Sequence, residues 1–368
     1  MKVGIDGYFM SDTKTAYGKA QRNIILQLSE IDQDDELFIF VSKEGAKYLP
    51  RNSNIRMVTI LRKKDNFISR IRSIRKSIKR DKLDLDEYIE TVEIAPKFGK
   101  DVKIFSLQHD FSNGTMERRF SVARLKGKIY RSFQLSSIFR SEAVFCNSRF
   151  TKDQLTKLFN NKKRILISPH GCDPIYEDIP VLTERLESVN LDIPEKFFLF
   201  VGRLTVKHKN VPILLEAFLI FSQEHPDYNI VLASTEDPTE EERKLIDLLG
   251  KRVKLFKGLS TIEVAFLYSR AIAFIFPSYY EGFGIPILEA QHVGCPLLLN
   301  DIPVFREVSG GAAIFFNGET KDLVRAMEAV TDKNNTDELI KNGRENCKRY
   351  SWRNVAEIIY AELHGERQ

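Results

Sequence analysis

The chain has 368 residues, which is enough for two compact domains at roughly 150 residues each. Hydrophobic residues make up 43% and charged residues 29%, a composition that excludes disorder, collagen-like repeats and a small disulfide scaffold. Residues 1–180 carry 34 Lys and Arg against 23 Asp and Glu, a net charge of +11, whereas residues 181–368 carry −6, so the first half is expected to face an anionic partner.

Short apolar runs alternate with helix-like segments along the whole chain. Runs as apolar as these are typical of strands buried on both faces, and their alternation with helices predicts parallel sheets. We therefore expect an α/β fold with two doubly wound parallel-sheet domains facing a central cleft, with ligands beyond the carboxyl ends of the strands. The predicted strands are residues 2–5, 37–41, 55–60, 102–107, 143–146, 164–168, 197–201, 229–233, 253–256, 271–276, 296–299 and 312–316.

The polar, proline-containing segment 173–194 separates the two sets of strands and is the predicted linker. We place the N-terminal domain at residues 1–175 and the C-terminal domain at residues 176–351. Residues 334–363 are helical in pattern with a break near 350–352. The last helix, at about 352–368, is expected to pack on the second domain or to return to the first.

Cys146, Cys172, Cys295 and Cys347 stand far apart without zinc-site spacing and are predicted to be reduced. No run approaches the roughly 20 apolar residues of a membrane-spanning helix, and the first residues lack the apolar core of a signal peptide. The expected location is the cytoplasm.

The most specific motif follows the predicted strand 271–276, where residues 276–290 read FPSYYEGFGIPILEA. Gly282 and Gly284 permit unusual backbone angles and close approach of a ligand. The first amides of the following helix can then bind an anionic or hydroxyl-rich ligand. Glu281 lies in the loop and Glu289 about two turns into the helix, so both can face one cleft.

A second strand ends in Gly202 and Arg203, and further cations follow at Lys207 and Lys209. Arginine offers a planar bidentate fork and lysine a mobile point charge, which together suit a diphosphate. We favour Lys209 as the partner of Arg203, with Lys207 as the alternative.

Residues 276–290 resemble the EGFGxPxxEA signature of the retaining glycosyltransferases of family four, which include mannosyltransferases. Residues 200–210 (FVGRLTVKHKN) resemble the strand-end segment of the same family. Further resemblances are found in residues 15–23 (TAYGKAQRN), 106–110 (SLQHD), 147–150 (NSRF) and 168–173 (SPHGCD), where His170 replaces the family's Asn. The resemblance implies the GT-B fold, with two Rossmann-like domains, and transfer of a sugar from a nucleotide diphosphate sugar to an acceptor hydroxyl.

The resemblance also implies roles for single residues. Glu289 is expected to hold the ribose hydroxyls of the donor, and Glu281 the sugar hydroxyls. Arg203 and Lys209 would stabilise the diphosphate as negative charge develops on it. The expected catalytic residues are His109, Arg203, Lys209 and Glu281, and the expected donor-binding residues are Gly18, Gly202, Gly282, Phe283, Gly284, Ile285 and Glu289.

Neither a cofactor nor a metal is expected. Asp84 and Asp86 match the DxD pattern of metal-dependent transferases, but they lie in a polar, helix-like stretch and are interpreted as surface residues. The resemblance agrees, because GT-B enzymes generally stabilise the departing diphosphate with cationic side chains and helix amides.

The basic segment 67–80 follows the basic triplet 62–64. Its apolar residues Phe67, Ile71, Ile74 and Ile78 recur at helical spacing among basic residues. This pattern is typical of an interfacial membrane helix, and equally of an amphipathic helix that packs on a sheet and exposes its charges. Nucleic-acid binding is not expected, because no recognised module accompanies the patch.

The resemblance implies a retaining, metal-independent glycosyltransferase, expected in the cytoplasm with peripheral contact at the inner face of the cell membrane. It would use GDP-mannose or a UDP-sugar and act on a glycan or lipid-linked acceptor in surface polysaccharide synthesis. Two alternatives are an epimerase-like enzyme of the same fold, which interconverts sugar nucleotides, and a non-catalytic membrane-associated partner of another transferase. No pattern in the sequence indicates an oligomeric state.

Overall fold

The structure is a computed structural model that describes residues 1–12, 15–60, 67–99, 101–109, 111, 122–332 and 336–366. It divides the chain into two compact units. The first unit contains Met1–Gly171 and Ser351–Gln368, and the second contains Cys172–Tyr350. Each unit is built on a parallel sheet with helices between its strands, which confirms the predicted α/β fold class.

The first unit is built on a seven-stranded sheet. Its strands are β1 (Lys2–Asp6), β2 (Glu36–Val41), β3 (Ile55–Thr59), β4 (Glu87–Glu90), β5 (Lys103–Gln108), β6 (Ala143–Cys146) and β7 (Arg164–Ile167). Its α-helices are α1 (Ala16–Ile31), α2 (Phe67–Asp81), α3 (Val122–Arg140), α4 (Arg149–Leu158) and, at the end of the chain, α14 (Trp352–Leu363). The strand order is β3-β2-β1-β4-β5-β6-β7, with every pair parallel.

The second unit is built on a six-stranded sheet. Its strands are β8 (Phe197–Val201), β9 (Asn229–Ser234), β10 (Val253–Lys257), β11 (Ala273–Phe276), β12 (Leu297–Asn300) and β13 (Ile314–Phe316). Its α-helices are α5 (Pro174–Glu177), α6 (Ile179–Glu187), α7 (Val211–Glu224), α8 (Glu240–Leu249), α9 (Thr261–Arg270), α10 (Ile285–Val293), α11 (Pro303–Ser309), α12 (Thr320–Val330) and α13 (Asp337–Cys347). The strand order is β10-β9-β8-β11-β12-β13. Successive strands are added on one side of β8 and then, from β11 onward, on its other side, and parallel sheets bind ligands at such a switch point.

Helix α14 lies on the first unit, not on the second. Val355 and Ile359 of α14 are buried in one apolar core with Ile24 and Leu28 of α1. The predicted helical stretch 334–363 thus divides into α13 and α14 in different units, and its residues 334 and 335 lie outside the described part of the chain.

Residues 173–194 are not a free linker. Asp173 and Asp178 accept hydrogen bonds from the first amides of α5 and α6, and prolines stand in the first turn of both helices. Tyr176 and Leu182 are buried. Pro174 and Pro180 therefore begin helices, whereas Pro194 lies outside them, and the chain passes between the units at Gly171–Cys172.

Strand β4 is absent from the sequence prediction, which assigns the surrounding acidic residues to a helical stretch. Its two end residues are glutamates, and both are buried. Arg70 donates to Glu90 at 3.0 Å, and Lys103 pairs with Glu87 at 3.3 Å. Asp84 and Asp86, in the exposed segment before β4, are surface residues as expected.

Helix α2 packs on the sheet of the first unit. Ile74 is fully buried, and the Phe67 ring contacts the rings of Tyr130 and Phe133 at 5.4 and 5.2 Å. Protein contacts thus occupy Phe67 and Ile74 of the apolar stripe, which favours the second interpretation, an amphipathic helix that packs on the sheet and exposes its charges. Residues 62–64 lie outside the described residues.

Among the described residues, every helix is too short or too polar to span a bilayer. All four cysteines are buried thiols. Burial raises the pKa of the Cys146 and Cys295 thiols to about 12, so both are inert packing groups at neutral pH.

Candidate functional site

Two loops meet at the carboxyl ends of β8 and β11 in the second unit. Lys209 Nζ lies 2.7 Å from Glu281 Oε1, and the two side chains are only 16% and 13% exposed. The Tyr279 amide donates to the His208 carbonyl at 3.0 Å, which joins the same two loops through the backbone. Lys207 is exposed. Of the two candidate lysines, the structure thus brings Lys209 to Glu281.

Arg203, at the end of β8, also has a carboxylate partner. Its Nε donates to Glu236 Oε1 at 2.7 Å, while the other Glu236 oxygen accepts from the Thr205 amide at 3.1 Å. Burial alone would raise the pKa of Glu236, but hydrogen bonds from Thr205 and Arg203 bring this pKa below its usual value. Arg203 remains 65% exposed, so an anion can reach its guanidinium.

Sequence reasoning missed Glu236. This residue comes two positions after β9, which pairs directly with β8. The carboxyl ends of neighbouring parallel strands share one edge of the sheet, and this rule was the signal that could have found it.

Gly284 is the N-cap of helix α10 and adopts a left-handed conformation with φ 109°. This backbone conformation favours glycine, and an added Cβ would in addition lie close to two side chains, 3.2 Å from Ile287 and 3.3 Å from Phe305. Without a side chain, Gly284 cannot cap the first amides of the helix. Pro286 has no N–H, and the Ile287 amide donates to the Gly284 carbonyl at 2.9 Å, so the Ile285 amide and the helix dipole form the positive end of α10, just after Gly282 and the buried Phe283.

Glu289 lies further along α10 and is buried, with 6% exposure. Burial and then the negative charge of Glu289 raise the pKa of Tyr268 and of Tyr176 well above the ordinary value. The Glu289 carboxylate thus lies beside two buried phenols. Gly202 continues the sheet edge, with its amide donating to the Ala233 carbonyl at 3.0 Å, and Ile285 is the first residue of α10.

Gly18, on α1 of the first unit, has a packing reason to be glycine. An added Cβ would lie 1.8 Å from the Asp12 carbonyl oxygen and 2.8 Å from that of Phe9. Its amide donates to the Thr15 hydroxyl at 3.2 Å, an N-cap of α1. Gly18 therefore allows close packing of the backbone at the start of α1. The predicted role of Gly18 in donor binding stays a prediction.

His109 follows β5 and is buried. Its Nε2 lies 2.7 Å from the Thr91 carbonyl oxygen, and its Nδ1 lies 3.0 Å from Nε2 of His170. Burial lowers the pKa of His109 to about 4, so the ring is neutral at pH 7. Both ring nitrogens thus have protein partners. Asp110, the next residue of the motif, lies outside the described residues.

Glu93 is a second residue that sequence reasoning missed. It is buried and has a positive φ of 71°, which is a strained conformation for a glutamate. The Tyr17 and Tyr130 hydroxyls donate to its two carboxylate oxygens at 3.2 and 2.7 Å. The Tyr17 ring also contacts His109 edge-on at 5.0 Å. Glu93 follows the unpredicted strand β4, so no sequence signal marked it.

The two parallel-sheet units place the chain in the GT-B class of folds. WaaG, a glycosyltransferase involved in lipopolysaccharide biosynthesis, aligns with a TM-score of 0.74 and 15% identity, covering 99% of this chain and 100% of that one. Residues 183–346 match the family described as Glycosyl transferases group 1.

Two curated relatives are similar over most of this chain. The O-antigen chain mannosyltransferase RfbU of Salmonella typhimurium strain LT2 is 27% identical over 236 residues, which are 63% of this chain and 62% of RfbU. The serotype-specific mannosyltransferase WbdA of Escherichia coli is 28% identical over 236 residues, which are 61% of this chain and 29% of WbdA. The matches therefore span less than two thirds of these relatives.

Proposed function

We propose that the chain transfers a sugar from a nucleotide diphosphate sugar to a hydroxyl of a glycan acceptor, with retention of configuration and without a metal. The grouping that carries this proposal is the Lys209–Glu281 pair beside the uncapped start of α10. It lies within the stretch that matches the glycosyl transferases group 1. Cations, helix amides and a carboxylate at one strand end suit a diphosphate joined to a sugar.

In the proposed reaction the bond from the sugar C1 to the phosphate oxygen breaks, and a bond from C1 to the acceptor oxygen forms on the same face. The leaving phosphate oxygen takes the acceptor proton. Lys209 and Arg203 stabilise the negative charge that develops on the diphosphate. Each cation must then bind the diphosphate as well as the carboxylate that it contacts now. Glu281 would then be available to sugar hydroxyls, and Glu289 to the ribose.

We propose GDP-mannose as the donor, with a UDP-sugar as the alternative. The support comes from the similarity to RfbU and WbdA, both named as mannosyltransferases. The same names support an acceptor among the growing chains of surface polysaccharides.

Nucleotide binding is the first test. We would measure the Tm of the full chain with GDP, UDP, ADP and dTDP and with their sugar conjugates. A ligand at about 100 times its Kd adds about 2.7 kcal/mol to the stability of the native state. We expect one nucleotide to raise Tm, Glu289→Gln to remove this shift, and the exposed control Glu345→Gln to retain it. If no nucleotide shifts Tm in folded protein, the donor site is assigned wrongly.

Product analysis then separates the reaction classes. Incubation of the protein with GDP-mannose and membrane lipid extracts should give an α-mannosylated product, identified by its anomeric proton signal. A metal chelator should not change the rate of product formation. Conversion of the donor without any acceptor would instead indicate the epimerase-like enzyme. Donor binding without turnover on any acceptor would indicate the non-catalytic partner.

We further propose that the first unit contacts an anionic membrane surface through the exposed basic face of α2. Because the apolar side of α2 packs on the sheet, this contact would be electrostatic. Each Lys or Arg near an anionic leaflet contributes about 1 kcal/mol. The residues of this face are Arg72, Arg75, Lys76 and Lys79, all exposed.

Vesicle binding tests this contact. Changing all four residues of the basic face to Gln should weaken binding to vesicles that contain anionic lipid by at least about tenfold at low salt. A control variant carries the same charge change in the second unit, at the exposed residues Lys321, Arg325, Lys341 and Lys348. Equal losses of vesicle binding in the two variants would show that binding depends on net charge alone and would contradict a specific membrane-binding surface on α2.

A further inference from the structure

The two buried histidines of the first unit have ring protons whose positions follow from their partners. The Thr91 carbonyl oxygen, 2.7 Å from His109 Nε2, can only accept a hydrogen bond. His109 Nε2 therefore carries the proton. Because the His109 ring is neutral, its Nδ1 has a lone pair, so His170 Nε2, at 3.0 Å, must be the donor.

We propose that His170 is a positioning residue for His109, and that its Nε2–H donates to His109 Nδ1 and holds that ring in a single tautomer and orientation. The catalytic meaning of this contact rests on the proposed glycosyl transfer. The contact itself does not. With Nε2 bonded to Thr91 and Nδ1 to His170, His109 cannot take or give a proton without breaking a hydrogen bond. It would act by its placement and not as a general acid or base.

His170 is itself held from the opposite side. The Trp352 ring lies 5.2 Å from the His170 ring at an interplanar angle of 32°, and Trp352 is only 4% exposed. An added Cβ on Gly171 would lie 2.5 Å from the Trp352 amide nitrogen, so backbone and ring pack closely here. The His170 ring is thus clamped between His109 and Trp352, and its own rotation is restricted.

The location of this clamp ties His109 to both chain crossings. His170 comes one residue before the end of the first stretch of the first unit, and Trp352 comes one residue after the chain returns to it. A shift of the backbone at either crossing therefore acts on the His170 ring directly. Through the hydrogen bond to Nδ1, it acts on His109 as well.

Histidine nitrogen NMR tests the hydrogen bond without any substrate. In full-length chain labelled with ¹⁵N-histidine, two-bond correlation spectra distinguish protonated from lone-pair ring nitrogens. For the wild type we expect a protonated Nε2 and a hydrogen-bonded lone-pair Nδ1 in His109. In His170→Phe, which keeps a ring against Trp352, the His109 Nδ1 signal should move to the position of a free acceptor. In His170→Gln, which keeps an N–H donor, the signal should move back toward its wild-type position.

His225→Phe is the matched control, because His225 stacks on Phe221 in the second unit. This change should leave the His109 signals in place. A His109 that carries its proton on Nδ1 in the wild type overturns the proposal, and this result needs no variant to fold. Unchanged His109 signals in folded His170→Phe overturn it as well.

Kinetics then test the positioning role. We expect His170→Phe to lower kcat by about tenfold or more with little change in donor KM, and His170→Gln to recover most of the loss. Wild-type kcat in His170→Phe would overturn the role in transfer. If the wild type shows the expected NMR signals but no transfer with any donor, the proposed function fails while the hydrogen bond stands.

Discussion

Lys209 Nζ lies 2.7 Å from Glu281 Oε1, across 72 residues of sequence, with little of either side chain exposed to water. The pair joins the loop after β8 to the loop that begins α10. Lys209 Nζ also lies 4.6 Å from the centre of the Phe276 ring, which adds a cation–π contact. The lysine therefore has a fixed position before any donor arrives, and its charge is already balanced.

This pair should behave as one energetic unit. Lys209→Met and Glu281→Gln are each expected to lower the Tm of the second unit, because each leaves its partner without a counter-charge in a mostly buried place. The double variant should lose less than the sum of the single variants, with a coupling energy of about 1–3 kcal/mol. Scanning calorimetry of the four proteins measures this energy. Strict additivity would show that the contact contributes nothing.

Arg70 should be far more important for stability than other basic residues of α2. It is 1% exposed and pairs with both Asp6 and Glu90, and burial raises the pKa of Glu90 to about 7 even beside the guanidinium. Removing one partner of a buried ion pair costs about 3–5 kcal/mol. Arg70→Met should therefore destabilise the first unit strongly, while the exposed Arg75→Met should change stability by less than about 0.5 kcal/mol.

The fluorescence of Trp352 measures this difference, because it is the single tryptophan of the chain and is buried in the first unit. Urea titrations followed at this residue report the unfolding of that unit. Equal midpoints for Arg70→Met and Arg75→Met would contradict the structural role given to Arg70.

The same Gly-to-Ala change should have opposite effects in two helices of the first unit. At Gly18 the new methyl group would lie 1.8 Å from the Asp12 carbonyl oxygen, so the loop or the helix must move and stability should fall. At the exposed Gly127 of α3 nothing lies within 4 Å of the new methyl group. There alanine should stabilise by about 0.4–1 kcal/mol through helix propensity and reduced freedom of the unfolded chain. Trp352 fluorescence in urea reads both, and stabilisation by Gly18→Ala would contradict the packing described here.

Stability of the first unit should rise with pH through the titration of His109. Burial lowers its pKa to about 4, against about 6.5 in the unfolded chain. Between these values the unfolded state binds more protons than the native state. The contribution, roughly 3 kcal/mol at its limit, is therefore fully present above about pH 6.5 and is lost as pH falls toward 4. Glu90 of the same unit, whose pKa is raised to about 7, gives the opposite slope over this range. The His109 slope should therefore appear in the difference between the urea midpoints of the wild type and His109→Gln from about pH 4.5 to 7.5. An unchanged slope in that variant would assign the effect to other groups.

The sequence predicted strands well wherever burial is apolar on both faces. The twelve predicted runs correspond to twelve of the thirteen strands formed by the described residues, and the exception is β4. The buried glutamates of this strand form ion pairs with Arg70 of α2 and Lys103 of β5. Partners so distant in sequence cannot be recognised from a local pattern. For the same reason, the sequence pattern of α2 predicts that all of its basic residues are exposed.

The candidate site divides in the same way. The local property of the motif, a glycine in a left-handed conformation before a helix, could be derived from residues 276–290 alone. The pairing of each cation with a carboxylate could not, because Glu236 and Glu281 reach Arg203 and Lys209 only through the order of strands in the sheet. His170 also escaped notice as a partner of His109, since 61 residues separate them.

The return of α14 to the first unit has a consequence for how the protein is made. The first unit needs Val355 and Ile359 for its core, and these residues leave the ribosome after the whole of the second unit has been synthesised. At 5–20 residues per second, the first 171 residues wait about 10–40 s for their last helix. During translation the second unit, although later in the sequence, is therefore the first that can complete its fold. The first unit spends that interval with the surface that will receive α14 open to chaperones.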